Sequence, residues 1–157
     1  MQAGDLGADL NLLQDLALLK DVAREAGQLA LDMMREGSRA WDKSPGNPVT
    51  EADLAVNDLI AARLRGARPE YGWLSEETKD NPADRSQHHV WVVDPIDGTI
   101  SFVHGVPLFG TLIGVERVGQ AVGGTRAEIG VIHMPALGET AYAASGVPMT
   151  TAVPTLR

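Results

Sequence analysis

Trp91-Val92-Val93-Asp94-Pro95-Ile96-Asp97-Gly98-Thr99 joins a short β-prone run to a dense set of oxygen donors. The apolar residues predict a buried strand, and Pro95 forces an extended step at its end. Asp94 and Asp97 then cluster at a strand terminus with the Ile96 carbonyl between them. Hard oxygens packed this closely are the ligand type that Mg²⁺ selects. Gly98 permits close backbone approach, and Gly98 with Thr99 can open a helix whose free N–H groups receive a phosphate. An isolated Asp-Pro pair would read as a turn with an Asx cap. The whole run after an apolar strand reads as a metal site.

Two more acidic clusters lie upstream. Trp73-Leu74-Ser75-Glu76-Glu77-Thr78 ends another short strand in adjacent glutamates; taken alone it reads as a solvated loop. Asp42 to Asp53 holds Lys43, Pro45, Gly46, Pro48 and Thr50. Thr50 with an acidic residue three positions on reads as a helix cap. Lys43 and Asp53 gain a further role only if the chain brings them to the other clusters.

Leu12, Leu16, Leu19, Ala23, Ala26, Ala30 and Met33 alternate in four- and three-residue steps, which predicts an amphipathic helix over Asp9 to Arg35. Met1 to Asp9 reads as a frayed tail without signal-peptide character. Trp41 to Val49 reads as an extended or turn segment. A second helix starts after Thr50, shows Val56, Leu59, Ile60 and Leu64 on one face, and stops near Gly66. Strands are predicted at Tyr71–Leu74, Val90–Val93, Gly110–Arg117, Ile129–His133 and Glu139–Ala143, with a polar surface loop from Lys79 to His89. The expected class is α+β, with two N-terminal helices packed on a largely antiparallel sheet.

The chain has 157 residues, of which 44% are apolar and 22% charged, ordinary for one domain with a core. A net charge of −8 argues against a nucleic-acid polymer or an anionic membrane as partner. It does not exclude a phosphate substrate, because acids can hold Mg²⁺ and present the metal's charge. The chain lacks cysteine, which rules out disulfides and suggests a reducing cytoplasm. His88, His89, His104 and His133 read as surface or satisfied histidines.

Lys43, Thr50-x-x-Asp53, Glu76-Glu77, Asp94 to Thr99 and the following Phe102, in this order, resemble the inositol monophosphatase family and its bisphosphate nucleotidase and histidinol-phosphatase relatives. Gly130-Val131-Ile132-His133-Met134-Pro135 is similar to a later strand-turn element of that family. The resemblance implies the N-terminal half of a layered α/β sugar-phosphatase fold. It implies Mg²⁺-dependent, lithium-sensitive hydrolysis of a small phosphorylated metabolite, with two or three Mg²⁺ ions and Mn²⁺ as substitute. Glu76, Asp94, the Ile96 carbonyl and Asp97 would hold metal, with Asp94 bridging. Gly98 and Thr99 would bind phosphate. Asp53 and Thr99 would orient the attacking water, with Glu76 counted among the catalytic acids and Lys43 and Glu77 in support. One ion would make hydroxide available and the other would steady the leaving oxygen, with no covalent phosphoenzyme. A homodimer is implied for the complete protein.

The family is nearly twice this length, and its second half brings a further metal-binding aspartate and much of the alcohol pocket. Residues 1–144 are therefore expected to form the metal- and phosphate-binding domain. Residues 145–157, with Pro148, Pro154 and three threonines, are expected to be a divergent tail, truncated or frameshifted. The alternative is a fragment that binds metal without turnover. Segments similar to inositol phosphatases, histidinol phosphatases and nucleotidases all occur, which leaves inositol-1-phosphate, histidinol phosphate and 3′-phosphoadenosine 5′-phosphate as candidates. Apolar edges left open by a missing half would favour self-association.

Overall fold

The computed structural model describes residues 3–119 and 124–152, with side chains from residue 11 onward apart from that of Pro148. Helix α1 spans Ala3–Glu36 and α2 spans Glu51–Ala67. The first begins earlier than its leucine spacing predicts, since nothing at Asp9 stops a helix. Its expected stripe is the inward one: Leu16, Leu19, Ala23, Ala26 and Ala30 are buried, and Leu12 and Met33 pack at the margin. Helix α2 buries Val56, Ile60 and Leu64 beside it.

The expected extended segment is a hairpin of β1 (Ala40–Ser44) and β2 (Asn47–Thr50), turned at Gly46 with φ +75°. The main sheet has the order β3 (Gly72–Ser75), β4 (His89–Asp97), β5 (Gly110–Val118), β6 (Thr125–Met134), β7 (Glu139–Ala144), β8 (Val147–Ala152). Only β3 and β4 are parallel; the other neighbours are antiparallel. The sheet is thus largely antiparallel, as the sequence predicts. Strand β8 lies in the stretch set apart as a tail and pairs with β7, Tyr142 opposite Thr150. Residues 153–157 of that stretch lie outside the described residues.

The polar stretch between β3 and β4 is not loop throughout. Asn81 accepts from the Ala83 N–H and caps a one-turn helix α3, Pro82–Arg85, with proline at its start. This turn is pressed onto β3. A Cβ on Gly72 would lie 1.8 Å from the Asp84 carbonyl oxygen, so only glycine fits there.

Both long helices cover one face of the sheet, burying Trp91, Val93, Ile113, Val115, Ile129 and Val131. The alternate residues Val92, Leu112, Gly114, Gly130 and Ile132 form the opposite face, which no described helix covers. Ile132 is 45% exposed there. No described helix is long and apolar enough to cross a membrane.

The small residues of α1 let it approach the end of β6. A Cβ on Gly27 would meet His133 Cδ2 at 2.7 Å and Pro135 Cβ at 2.9 Å, whereas one on Gly66 of α2 would meet nothing within 4 Å. The same substitution should therefore have opposite signs. Gly27→Ala is expected to destabilise by about 1–3 kcal/mol through overpacking. Gly66→Ala is expected to stabilise by up to about 1 kcal/mol through helix propensity. Urea midpoints for the two variants check this, and equal shifts would contradict it.

Candidate active site

Asp94 and Asp97 are three residues apart, so a regular strand would point them to opposite faces. The structure avoids this with a β-bulge. Asp94 pairs with Leu112 and Asp97 with Gly110, leaving one extra residue on β4. Pro95 lacks the N–H a regular ladder needs, and its carbonyl accepts instead from the Thr111 hydroxyl at 2.9 Å. Both aspartates thereby share the face opposite the helices.

Strand β3 brings the second cluster to the same place. Its parallel register sets Ser75 beside Val93, and the Glu76 N–H donates to the Val93 carbonyl at 3.2 Å. Glu76 therefore stands next to Asp94 at adjoining strand ends, and both line a cavity of about 430 Å³ along the open face. The turn after Glu76 is held from beneath. Ser75 Oγ donates to Asn57 Oδ1 at 2.6 Å, Asn57 Nδ2 donates to Thr78 Oγ1 at 3.2 Å, and the Trp73 indole donates to Thr78 Oγ1 at 3.0 Å.

The third cluster closes the set. Thr50 and Asp53 form a reciprocal capping box at the start of α2: Asp53 N donates to Thr50 Oγ1 at 3.1 Å and Thr50 N to Asp53 Oδ2 at 2.7 Å. Asp53 Oδ1 remains, and the Thr99 hydroxyl reaches it at 3.2 Å while also lying 3.1 Å from the Ile96 carbonyl. One proton is shared between the two acceptors. Gly98, in the left-handed region at φ +84°, precedes the short helix α4, Thr99–Val103. A Cβ there would come within 2.9 Å of the Leu108 carbonyl oxygen. Lys43 reaches across from the hairpin, its ammonium 2.8 and 3.0 Å from the Glu77 carboxylate oxygens.

The charges are unbalanced. Glu77 has Lys43, but among the described residues Asp53, Glu76, Asp94 and Asp97 have no cationic side chain within 4.0 Å. Burial first, and then the charges of Glu76, Asp97, Asp53 and Glu77, push the Asp94 carboxyl up to about 7. A group of oxygen donors without a counter-charge fits a divalent cation. Among the described residues no three His, Asp or Glu side chains are already closed around one point. The site is an open cluster rather than a preformed cage.

All the residues singled out in the sequence thus fall into one neighbourhood. Asn57, Ser75, Thr78 and Thr111 were missed. Asn57 lies one helical turn beyond Asp53, the only hint in the sequence that it shares that face.

Helices on one face of a largely antiparallel sheet, with an acidic cluster at strand ends, define the first half of the layered fold of the sugar phosphatases. Within that class the chain belongs to the inositol monophosphatase family, whose sequence profile matches residues 11–153. It is 39% identical over 133 residues to a histidinol-phosphatase of Chlorobaculum parvum, covering 84% of this chain and 48% of that one. It is 47% identical over 97 residues to an inositol-1-monophosphatase of Mesorhizobium japonicum, covering 62% and 34%. The crystal structure of the extragenic suppressor protein suhB of Bartonella henselae matches with a TM-score of 0.79 at 28% identity, covering 88% of this chain and 52% of that one. The chain spans about half the length of such relatives, or less.

The Asp94 shift has a consequence for stability. Its folded value, about 7, is raised above the ordinary 3.8. The stability it contributes is therefore full below about 4 and lost as pH rises through 7. In excess chelator, the wild-type urea midpoint should fall between pH 4 and 7 more steeply than that of Asp94→Asn, and the variant should be the more stable at pH 8. Parallel profiles would show that Asp94 is not held among repelling acids.

Proposed function

We propose that this chain supplies the metal- and phosphate-binding half of an Mg²⁺-dependent phosphomonoesterase. The observation that carries the reading is the grouping of Glu76, Asp97 and Asp53 near enough to Asp94 to raise its carboxyl, with Asp53 hydrogen-bonded to Thr99. Glu76, Asp94, the Ile96 carbonyl and Asp97 would hold two or three Mg²⁺ ions, with Mn²⁺ as substitute. Bound there, the metal would supply Lewis acidity toward the phosphate and lower the pKa of water. Gly98 and Thr99 would donate to the phosphoryl oxygens. Asp53, buried and bonded to Thr99, would draw the Thr99 hydroxyl into line to orient an attacking water. Lys43 would keep Glu77 from adding a further uncompensated charge.

Inositol-1-phosphate, histidinol phosphate and 3′-phosphoadenosine 5′-phosphate are the candidate substrates; relatives named inositol-1-monophosphatase, histidinol-phosphatase and 3′(2′),5′-bisphosphate nucleotidase support one each, and none over the others. Lithium inhibition, a cytoplasmic setting and a homodimer of the complete protein belong to the same reading, as does the absence of a nucleic-acid or membrane partner. The length of the relatives favours a second reading for the chain by itself: metal binding without turnover.

Calorimetry with MgCl₂ tests metal binding on the chain, and phosphate release from the three candidates tests turnover on the chain and on a version fused to a relative's C-terminal half. Wild type should bind Mg²⁺ and Asp94→Asn should not. Thr99→Ala in the active form should lower kcat by about 10²-fold or more with little change in metal affinity. Phosphate release by wild type in excess chelator would refute the metal role. Release by the fused form alone would support the second reading for the chain by itself, and metal binding without release in either form would show that the missing half is not the cause.

A further inference from the structure

A second cavity, of about 390 Å³, lies at the other end of β4 and is separate from the acidic cluster. Strand β4 enters it at His89 and leaves toward Asp94 and Asp97 at its far end. The cavity is bounded by α1 at Asp15, by Tyr71 and His89, and by Arg117, Arg126 and Glu128.

Its charges are arranged unusually. Arg117 and Arg126 are direct partners across β5 and β6. Like charges opposite each other on neighbouring strands destabilise a sheet. A β-bulge creates this pairing: Val115 faces Ile129 while Glu116 faces Ala127, so Glu128 is the extra residue. In a regular strand Glu128 and Arg126 would both face away from the helices. The bulge instead buries Glu128 next to Ile129 and turns Arg126 to the side of Arg117.

The carboxylates of the cavity are already engaged. Asp15 accepts from Arg68 at 2.8 Å and from the Tyr71 hydroxyl at 2.7 Å. Glu128 accepts from Arg117 at 2.7 Å and lies 3.3 Å from His89 Nε2. Arg126 donates to the neutral Ser145 hydroxyl and has no carboxylate partner among the described residues. Three guanidinium groups thus answer two carboxylates in a chain whose net charge is −8. The volume exceeds what a bare ion needs, and Tyr71 and His89 add a stacked aromatic pair with centroids 4.9 Å apart.

We propose that this cavity binds a small organic oxyanion whose charged oxygens are taken by Arg126 together with Arg117. Guanidinium groups match carboxylate and phosphate geometry, and either head group would serve. This inference is independent of the phosphatase reading, since it uses no residue of the acidic cluster.

The test follows the His88 and His89 ring resonances by NMR while the chain, in excess chelator, is titrated with phenyl phosphate or with benzoate. Sodium chloride at matched ionic strength is the control. A saturable shift with one or both probes is expected, and the stronger probe identifies the head group. Arg126→Gln should weaken it roughly tenfold or more, as the loss of a charge-assisted pair requires. Arg126→Lys should retain part of it, and Asp94→Asn should leave it unchanged. A shift that sodium chloride reproduces, a shift abolished by Asp94→Asn, or none with either probe would overturn the proposal. So would wild-type affinity in both Arg126 variants.

Discussion

Glu76 stands beside Asp94 because β3 and β4 run parallel, and nothing in the energetics of the apo chain rewards that placement. Two carboxylates at adjoining strand ends repel each other, and burial of one makes the repulsion stronger by removing water that would screen it. The arrangement holds because each acid is fixed by bonds to the backbone and to neutral side chains rather than by a cationic partner. Glu76 is fixed through its backbone N–H to Val93. The turn after it is held by Ser75, Asn57 and Thr78. Asp53 is fixed by the capping box, and the Asp94–Asp97 bulge by Thr111. The stabilising burial lies on the other side of the sheet, where Leu19, Ile60 and Leu64 meet Trp91, Ile113 and Val115. Core and site thus lie mainly on opposite sides of the sheet, joined where Trp73 reaches Thr78 and where Asp53 on α2 reaches Thr99, and packing largely remote from the acids bears the strain of the site.

The elements with simple periodicity were legible in the sequence. The stripe from Leu12 to Met33 and the cap at Thr50 predict two helices, and both are found, the first longer at its start. The β-prone runs predict five strands whose cores are right and whose ends are short by up to four residues. The difference is physical. Strand ends such as Thr125–Glu128 and Pro95–Asp97 are polar or proline-bearing, and ladder pairing rather than side-chain character makes them strands. The segment of β1 and β2 was legible as extended or turn but not as a hairpin, and the turn α3 escaped, since β1 and α3 have no buried residue to imprint a period. The acids of the site were legible as residue types at a spacing. The supporting side chains Asn57 and Thr111 were not, because a hydrogen bond between distant segments leaves no local pattern.

The sites at the two ends of β4 use the same device, a bulge in β4 itself at the acidic end and in β6 at the distal cavity. A regular strand sorts residues by parity, so positions an odd number apart are forced to opposite faces. The acidic site needs Asp94 and Asp97 together, and the distal cavity has Glu128 and Arg126 on the helix side where parity would exclude them. In each case a single extra residue resets the count. The sheet can then keep an unbroken apolar face toward α1 and α2 while delivering polar groups to chosen points beyond each bulge. At the acidic end the bulge gathers like charges whose repulsion, after burial, raises the Asp94 carboxyl. At the basic end it sets two arginines opposite each other, Arg117 bonded to Glu128 and Arg126 to the neutral Ser145 hydroxyl. Among the described residues the two ends of one strand therefore differ in electrostatic balance, with carboxylates in excess at one and a guanidinium in excess at the other.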